Sequence, residues 1–254
     1  MNRGDADIDV DTVDPRSVTV VLPTFNEVGN LESVVTGIRA HGYRVIVVDD
    51  ASTDGTGELA DGLAAADAAV TVVHRPSKAG LGSAYAVGFA DALEAGARVV
   101  CGMDADLQHD PAAVPNLVSA IEGGADLAIG SRFVPGGHIE GWSLWRRGLS
   151  RSGNRYARMM LGVPVRDLTS GFRALRVESL TSIDPASCRA HGYGFLIEVA
   201  LRAHRSGLRI TEVPIVFRRR HSGESKLDGR IVREAMWLVT VWGIARIVRL
   251  GPAR

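Results

Sequence analysis

The chain has 254 residues, 46% of them hydrophobic, and a formal net charge of zero, which suits one large buried core or one domain with an appendage and gives no reason to expect a nucleic-acid partner. Its two cysteines, Cys101 in an apolar run and Cys188 in a loop, exclude a disulfide framework and a zinc cluster and fit a reducing cytoplasm. The zero balance hides an asymmetry: residues 1–16 hold five aspartates against two arginines, whereas 218–254 hold nine basic residues against three acidic, an end that wants an anionic partner or surface.

Residues 1–16 lack the apolar core of a secretory signal and read as a disordered acidic tail. A strand, turn and helix cycle then begins at Val18. The runs 18–22, 44–50, 70–74, 98–104 and 126–130 are short, β-branched and apolar on both faces, as buried parallel strands are. Helical spacing of Leu31, Val34, Val35 and Ile38, the alanine-rich stretch from Ser83 to Ala95, and Pro111 followed by Val114, Leu117, Val118 and Ile121 supply the helices between them. The alternation predicts an α/β fold, a doubly wound and mostly parallel sheet with helices on both faces, over residues 17–227. Ligands of such sheets bind beyond the carboxyl ends of the strands.

Polar residues gather at those ends: Pro23, Asn26 and Glu27; Asp49, Asp50 and Ser52 to Asp54; His74, Arg75 and Lys78; and the stretch MDADLQHD from Met103 to Asp110. Asn30 or Ser52 to Asp54 would serve as helix caps in any protein. Capping does not explain Glu27 or the adjacent Asp49 and Asp50, where like charges need a ligand or cation to offset them. If the extended path through Val99–Met103 continues, Asp104, Asp106 and Gln108 point the same way. Two carboxylates and an amide suit a hard cation, Mg2+ or Mn2+, that completes its shell with water and phosphate oxygens.

After residue 131 the pattern loosens. Gly136, Gly137 and Gly141 make a loop ending in Trp142, Leu144 to Leu161 reads as a basic amphipathic helix, and Phe172–Val177 and Ile210–Phe217 read as strands. Residues 228–254 form a C-terminal amphipathic helix with an uncharged run of eleven residues, Ala235 to Ala245, too few for the roughly 20 that span a bilayer. It is either a core helix or an interfacial one, with Trp237 and Trp242 inserted and Arg230, Arg233, Arg246 and Arg249 near lipid phosphates.

The motifs LPTFNE (22–27), VVDDASTDGT (47–56), KAGLGSA (78–84), MDADLQHDP (103–111), GSRF (130–133), LTSGFRAL (168–175) and GESK (223–226) occur in an order that resembles family 2 glycosyltransferases of the GT-A fold, and within them the dolichol or polyprenol monophosphate mannose synthases. The resemblance covers about residues 18–235. It implies GDP-mannose as donor, a polyprenyl phosphate as acceptor, a Mg2+ or Mn2+ cofactor and a β-mannosyl phospholipid product. Carried over by motif, it assigns Pro23, Phe25, Glu27, Val48 and Asp50 to the nucleotide, and Asp104, Ala105, Asp106 and Gln108 to the diphosphate and its metal. Arg132, with an arginine and serine four residues apart, Arg146 and Ser150, would approach the acceptor phosphate; Arg147 is a rival for Arg146. Arg220 and Lys226 would close over the diphosphate or the transferred phosphate. Asp167 is a carboxylate beside the acceptor with no proton-transfer duty.

Many of these synthases carry C-terminal membrane helices, and this chain resembles the type without them. Peripheral attachment to the cytoplasmic face is therefore expected, either directly or through a separate membrane protein. The alternatives are transfer of glucose from UDP-glucose, and a non-catalytic nucleotide-sugar-binding subunit. A dinucleotide oxidoreductase is disfavoured because the first strand leads into PTFNE without GxGxxG, and a triphosphate hydrolase because GxxxxGK[ST] is missing.

Overall fold

All five β-branched runs form strands: β1 (Val18–Thr24), β2 (Arg44–Asp49), β3 (Val70–His74), β4 (Val99–Gly102) and β5 (Leu127–Ser131). The computed structural model describes residues 13–219 and 229–250. Two further strands, β7 (Arg173–Arg176) and β8 (Ile210–Pro214), complete a seven-stranded sheet in the order β3-β2-β1-β4-β7-β5-β8. A separate two-stranded ribbon pairs β6 (His138–Ile139) with β9 (Val216–Phe217). The run expected as one strand from Ile210 to Phe217 thus breaks at Ile215 and serves two sheets. All pairings in the large sheet are parallel except those of β7, which runs antiparallel to both β4 and β5.

The period-2 alternation of the strands divides the core in two. Val18, Val20 and Leu22 of β1 join a cluster under α1 (Leu31–Arg39), α2 (Thr56–Ala66) and α4 (Val114–Glu122), while Val21 faces the opposite cluster. That second cluster lies under α3 (Leu81–Glu94), α5 (Leu144–Leu161), α6 (Val177–Ile183), α7 (Tyr193–Arg205) and α8 (Gly229–Leu250). Contact between α3 and β1 is close enough to require glycine: a Cβ on Gly88 would lie 2.3 Å from Val21 Cγ1.

The Val13 N–H donates to Glu122 Oε1 and Pro15–Ser17 form a short 3-10 turn, within the stretch expected as a flexible tail. The C-terminal helix packs on the domain. Ala235 and Val239 of α8 are buried in the core, Trp242 packs against it, and the Tyr156 and Thr240 hydroxyls bond at 2.8 Å across α5 and α8. Its outer side is nonetheless apolar, with Trp237 65%, Ile247 56% and Val248 73% exposed. One side of this helix is therefore core and the other is exposed to the surface.

Candidate active site

A cavity of about 1010 Å³ opens beyond the carboxyl ends of β1, β2, β4 and β5, where a parallel sheet leaves a crevice. Because β7 runs antiparallel, the segment before it, Thr169 to Gly171, reaches the same edge and forms part of the floor.

Pro23, Phe25 and Glu27 from the β1–α1 loop and Asp50 from the end of β2 form one wall. Glu27 is buried and its Oε2 accepts from Asn30 Nδ2, so Asn30 braces a cavity residue and makes no side-chain cap to its own helix. The adjacent aspartates have separate duties. Asp49 accepts from the Ser52 N–H and does not line the cavity. Asp50 accepts from the Ala79 and Gly80 N–H groups and pairs with Arg75 at 2.9 Å, so the cation that offsets it is a side chain of the protein itself. Lys78 sits 3.7 Å from the centre of the Phe25 ring. Val48 lies in β2 with its side chain in the core, outside the cavity lining.

The turn after β4 differs from the extended path expected. Leu107 takes φ +59°, so the chain bends instead of continuing the strand alternation. Asp104, Ala105, Asp106, Gln108 and His109 still line the cavity. What brings them together is the turn: Gln108 N donates to Asp106 Oδ1, and Gln108 Nε2 to Arg218 O. The Asp104 side chain is 37% exposed and Asp106 is buried. These hard oxygen donors fit a divalent cation. Among the described residues no group of three or more His, Cys, Asp or Glu could hold a metal, so two carboxylates would leave most of a cation's shell to Gln108, water and phosphate oxygens. His109, with Nδ1 3.8 Å from Asp104 Oδ2, is stacked on Phe172; burial pushes its imidazole down to about 4, so it is neutral at pH 7.

Two arginines line the same cavity as the carboxylates. Arg132, just past β5, is buried; its Nε donates to Asp167 Oδ2 at 2.7 Å and a terminal nitrogen to Asp167 Oδ1 at 2.6 Å. Asp167 is fully buried and also accepts the Arg132 N–H, while its own N–H donates to Glu212 Oε1. Burial lowers the Arg132 pKa, but Asp167 outweighs it and holds the guanidinium above its ordinary value. Arg146, on the first turns of α5, faces the cavity with its guanidinium 4.0 Å from the centre of the Trp142 ring. Arg147, its rival in the sequence, is exposed and outside the lining. Ser150 is one turn further along α5, also outside the lining, and its carbonyl accepts from Asn154 Nδ2. Arg220 and Lys226 lie outside the described residues.

Several site residues had no sequence reading. Arg173 is buried in β7 and donates to the carbonyls of Leu168, Ser170 and Leu196, clamping the floor segment against α7. Burial brings its guanidinium down to about 10, still protonated at neutral pH. Tyr193, its phenol pushed up by burial, and Ile231 of α8 complete the far wall. The turn before Tyr193 needs glycine, since Gly192 has φ +51° and its Cβ would lie 2.7 Å from Ile231 Cγ2. The available signal was the LTSGFRAL motif, which contains Arg173 and the floor; for Ile231 there was none.

The model of the family described as glycosyl transferase family 2 matches residues 19–183. The chain is 47% identical over 247 residues to the polyprenol monophosphomannose synthase of Mycolicibacterium smegmatis, covering 96% of this chain and 92% of that one. It is 46% identical to the undecaprenyl-phosphate mannosyltransferase of Micrococcus luteus, over 90% of this chain and 94% of that one. Among solved structures, glucosyl-3-phosphoglycerate synthase from Mycobacterium tuberculosis in complex with Mn2+, UDP-glucose and phosphoglyceric acid is similar at TM-score 0.68 and 26% identity, covering 90% of this chain and 80% of that one.

Proposed function

The chain belongs to glycosyl transferase family 2, and from that membership we propose that it transfers mannose from GDP-mannose to a polyprenyl monophosphate, giving the β-linked mannosyl phospholipid with inversion. The observation that carries this reading is that the Asp104 and Asp106 carboxylates and the Arg132 and Arg146 guanidiniums line one cavity.

An alcohol acceptor would need a general base. A phosphate monoester has a second pKa of about 6 and is largely dianionic at neutral pH, so it needs positioning. The side chains match that requirement. Asp167 is committed to Arg132, and His109 is enclosed and neutral; neither is assigned a proton. Arg132 and Arg146 bind and orient the acceptor phosphate, Arg132 through the terminal nitrogen that neither Asp167 nor Thr169 engages. Ser150, one turn beyond Arg146, supports the same subsite. Pro23, Phe25, Glu27 and Asp50 hold the nucleoside; Val48, its side chain in the core and outside the lining, belongs to the strand beneath that wall. Arg220 and Lys226 are assigned to closing over the phosphates, on the strength of the GESK motif alone. Mg2+ or Mn2+, held by Asp104, Asp106 and Gln108, would supply neutralisation of the charge that develops on the departing diphosphate. Mn2+ accompanies UDP-glucose in the similar solved structure, which supports a divalent ion.

Docking on a membrane surface is proposed from α5 and α8, and the cytoplasmic face from the resemblance alone. They pack on each other and expose Leu144, Trp145, Leu149, Trp237, Ile244 and Val248, with Arg147 and Arg151 among them. The same two helices contribute Arg146 and Ile231 to the cavity, which puts an interfacial surface beside the acceptor subsite. No helix among the described residues is long and apolar enough to cross a membrane. The proposed contact is made by this face or shared with a separate anchoring protein.

The test is transfer of radiolabel from GDP-mannose to a short polyprenyl phosphate in the presence of Mn2+, with UDP-glucose as the competing donor, followed by extraction of the lipid. Label entering the lipid from GDP-mannose alone is the expected result. Label entering only from UDP-glucose, or no lipid product at all, overturns the proposal.

A further inference from the structure

We propose that Trp142 is a positioning residue for the acceptor phosphate, its indole holding the Arg146 guanidinium beside Arg132 so that two cations address one anion. The inference rests on the reading that Arg132 and Arg146 receive that phosphate.

Two guanidiniums at one cavity wall repel each other, and each needs something to hold it there. Arg132 has Asp167. Arg146 has no ion-pair partner among the described residues, and its Nε is buried without a hydrogen-bond partner. What it has is Trp142: the Arg146 guanidinium carbon lies 4.0 Å from the indole centre, and that of Arg132 lies 5.9 Å from the same ring. Stacking engages the face of a guanidinium and leaves its in-plane N–H edge available. Such an edge donates two parallel bonds to a phosphate. A carboxylate in place of the indole would hold Arg146 equally well but would occupy that edge.

The indole is itself fixed. Phe217 meets it edge-on, with centroids 5.5 Å apart and planes at 80°, and Phe217 meets His109 edge-on at 5.1 Å. The backbone follows the same route. Glu140 N donates to Phe217 O, and Arg218 N to Gln108 O. The β6–β9 ribbon thus ties the Trp142 loop to the turn that carries Asp104 and Asp106, so the place of the acceptor arginine is set relative to the carboxylate pair. A long arginine side chain ordered in advance loses less freedom when the phosphate arrives.

The test uses the full chain with GDP-mannose and a short polyprenyl phosphate, measuring KM for each substrate in W142A, W142F, W142L, R146A and W142A/R146A. W142A should raise the acceptor KM about ten-fold, the scale of a partly shielded cation–π contact, and leave the donor KM within about two-fold. W142F, which keeps an aromatic face, should recover most of the loss. W142L keeps apolar bulk without that face and should behave as W142A; it also supplies the answer if circular dichroism shows W142A unfolded. The double variant should be no worse than R146A alone. An unchanged acceptor KM in W142A and W142L, an equal rise in donor KM, or losses that multiply in the double variant would each overturn the proposal. R146A separates the two levels. If R146A leaves the acceptor KM unchanged, the assignment of the subsite fails; if R146A raises it and the Trp142 variants do not, only the role of Trp142 fails.

Discussion

Removal of the Asp167 carboxylate tests how the site is built. Asp167 is fully buried and accepts from the Arg132 backbone N–H, Nε and a terminal nitrogen at 3.0, 2.7 and 2.6 Å. The Asp167→Ala variant leaves a buried guanidinium whose remaining hydrogen-bond partner is Thr169 Oγ1 at 2.9 Å. Breaking a buried pair from one side costs about 3–5 kcal/mol. At about 1.4 kcal/mol per decade, the folded-to-unfolded ratio falls by roughly two to three and a half orders of magnitude. Against a typical total of about 5–15 kcal/mol, the variant stays folded in buffer but unfolds at distinctly lower urea. The paired replacement Arg132→Met with Asp167→Leu removes both charges and should cost much less than the sum of the single changes. Urea unfolding of the five proteins, wild type, D167A, R132M, D167L and R132M/D167L, followed by far-ultraviolet circular dichroism, measures this directly. A loss under about 1 kcal/mol in D167A, or additive losses in the double variant, would refute the argument that this pair is an interdependent buried unit.

Asp106→Ala should abolish transfer and weaken Mn2+ binding, measured by titration calorimetry without substrates, while the melting temperature moves by only a few degrees. Gly88→Ala places a methyl 2.3 Å from Val21 Cγ1; overpacking of that kind costs about 1–3 kcal/mol and should lower the melting temperature by several degrees in differential scanning fluorimetry. At Asp54, burial raises the carboxyl pKa but is outweighed by hydrogen bonds from the Thr56 hydroxyl and the Val28 and Thr56 N–H groups, so the net shift is downward. Its stabilisation is therefore present above the unfolded carboxyl pKa of about 3.9 and lost as pH falls through the lower folded value. The stability gap between wild type and Asp54→Asn should shrink across that acid window and stay constant from pH 5 to 7; a gap that widens toward acid would contradict the sign.

The central strands were legible because burial on both faces leaves an apolar, β-branched run bounded by polar loops, and β1 to β5 each fell on such a run. Residue type at the strand ends brought out the cavity carboxylates, but the reason offered for their convergence was wrong. Strand alternation cannot continue through Leu107 at φ +59°, and the backbone bond from Gln108 to Asp106 does the gathering. Helix α7 passed unread because nearly all of it is buried, Glu198 included, so no polar stripe marks its period. Strands β6 and β9, two residues each, are too short to leave a pattern. Arg173 and the Trp142–Phe217–His109 contacts depend on pairing between distant segments, and a single chain read in order does not display that.

β5 and β7 lie side by side and run in opposite directions, so the exit of one and the entrance of the other are neighbours, and Arg132 and Asp167 clasp across them. Everything from Phe133 to Arg166 is then an excursion whose two ends meet at a single locked base. A segment closed in this way is a natural unit of exchange. Swapping it between relatives, with the clasp left in place, would carry over Gly141, Trp142 and Arg146 of the cavity lining while leaving Arg132 and the rest of the lining to the parent scaffold.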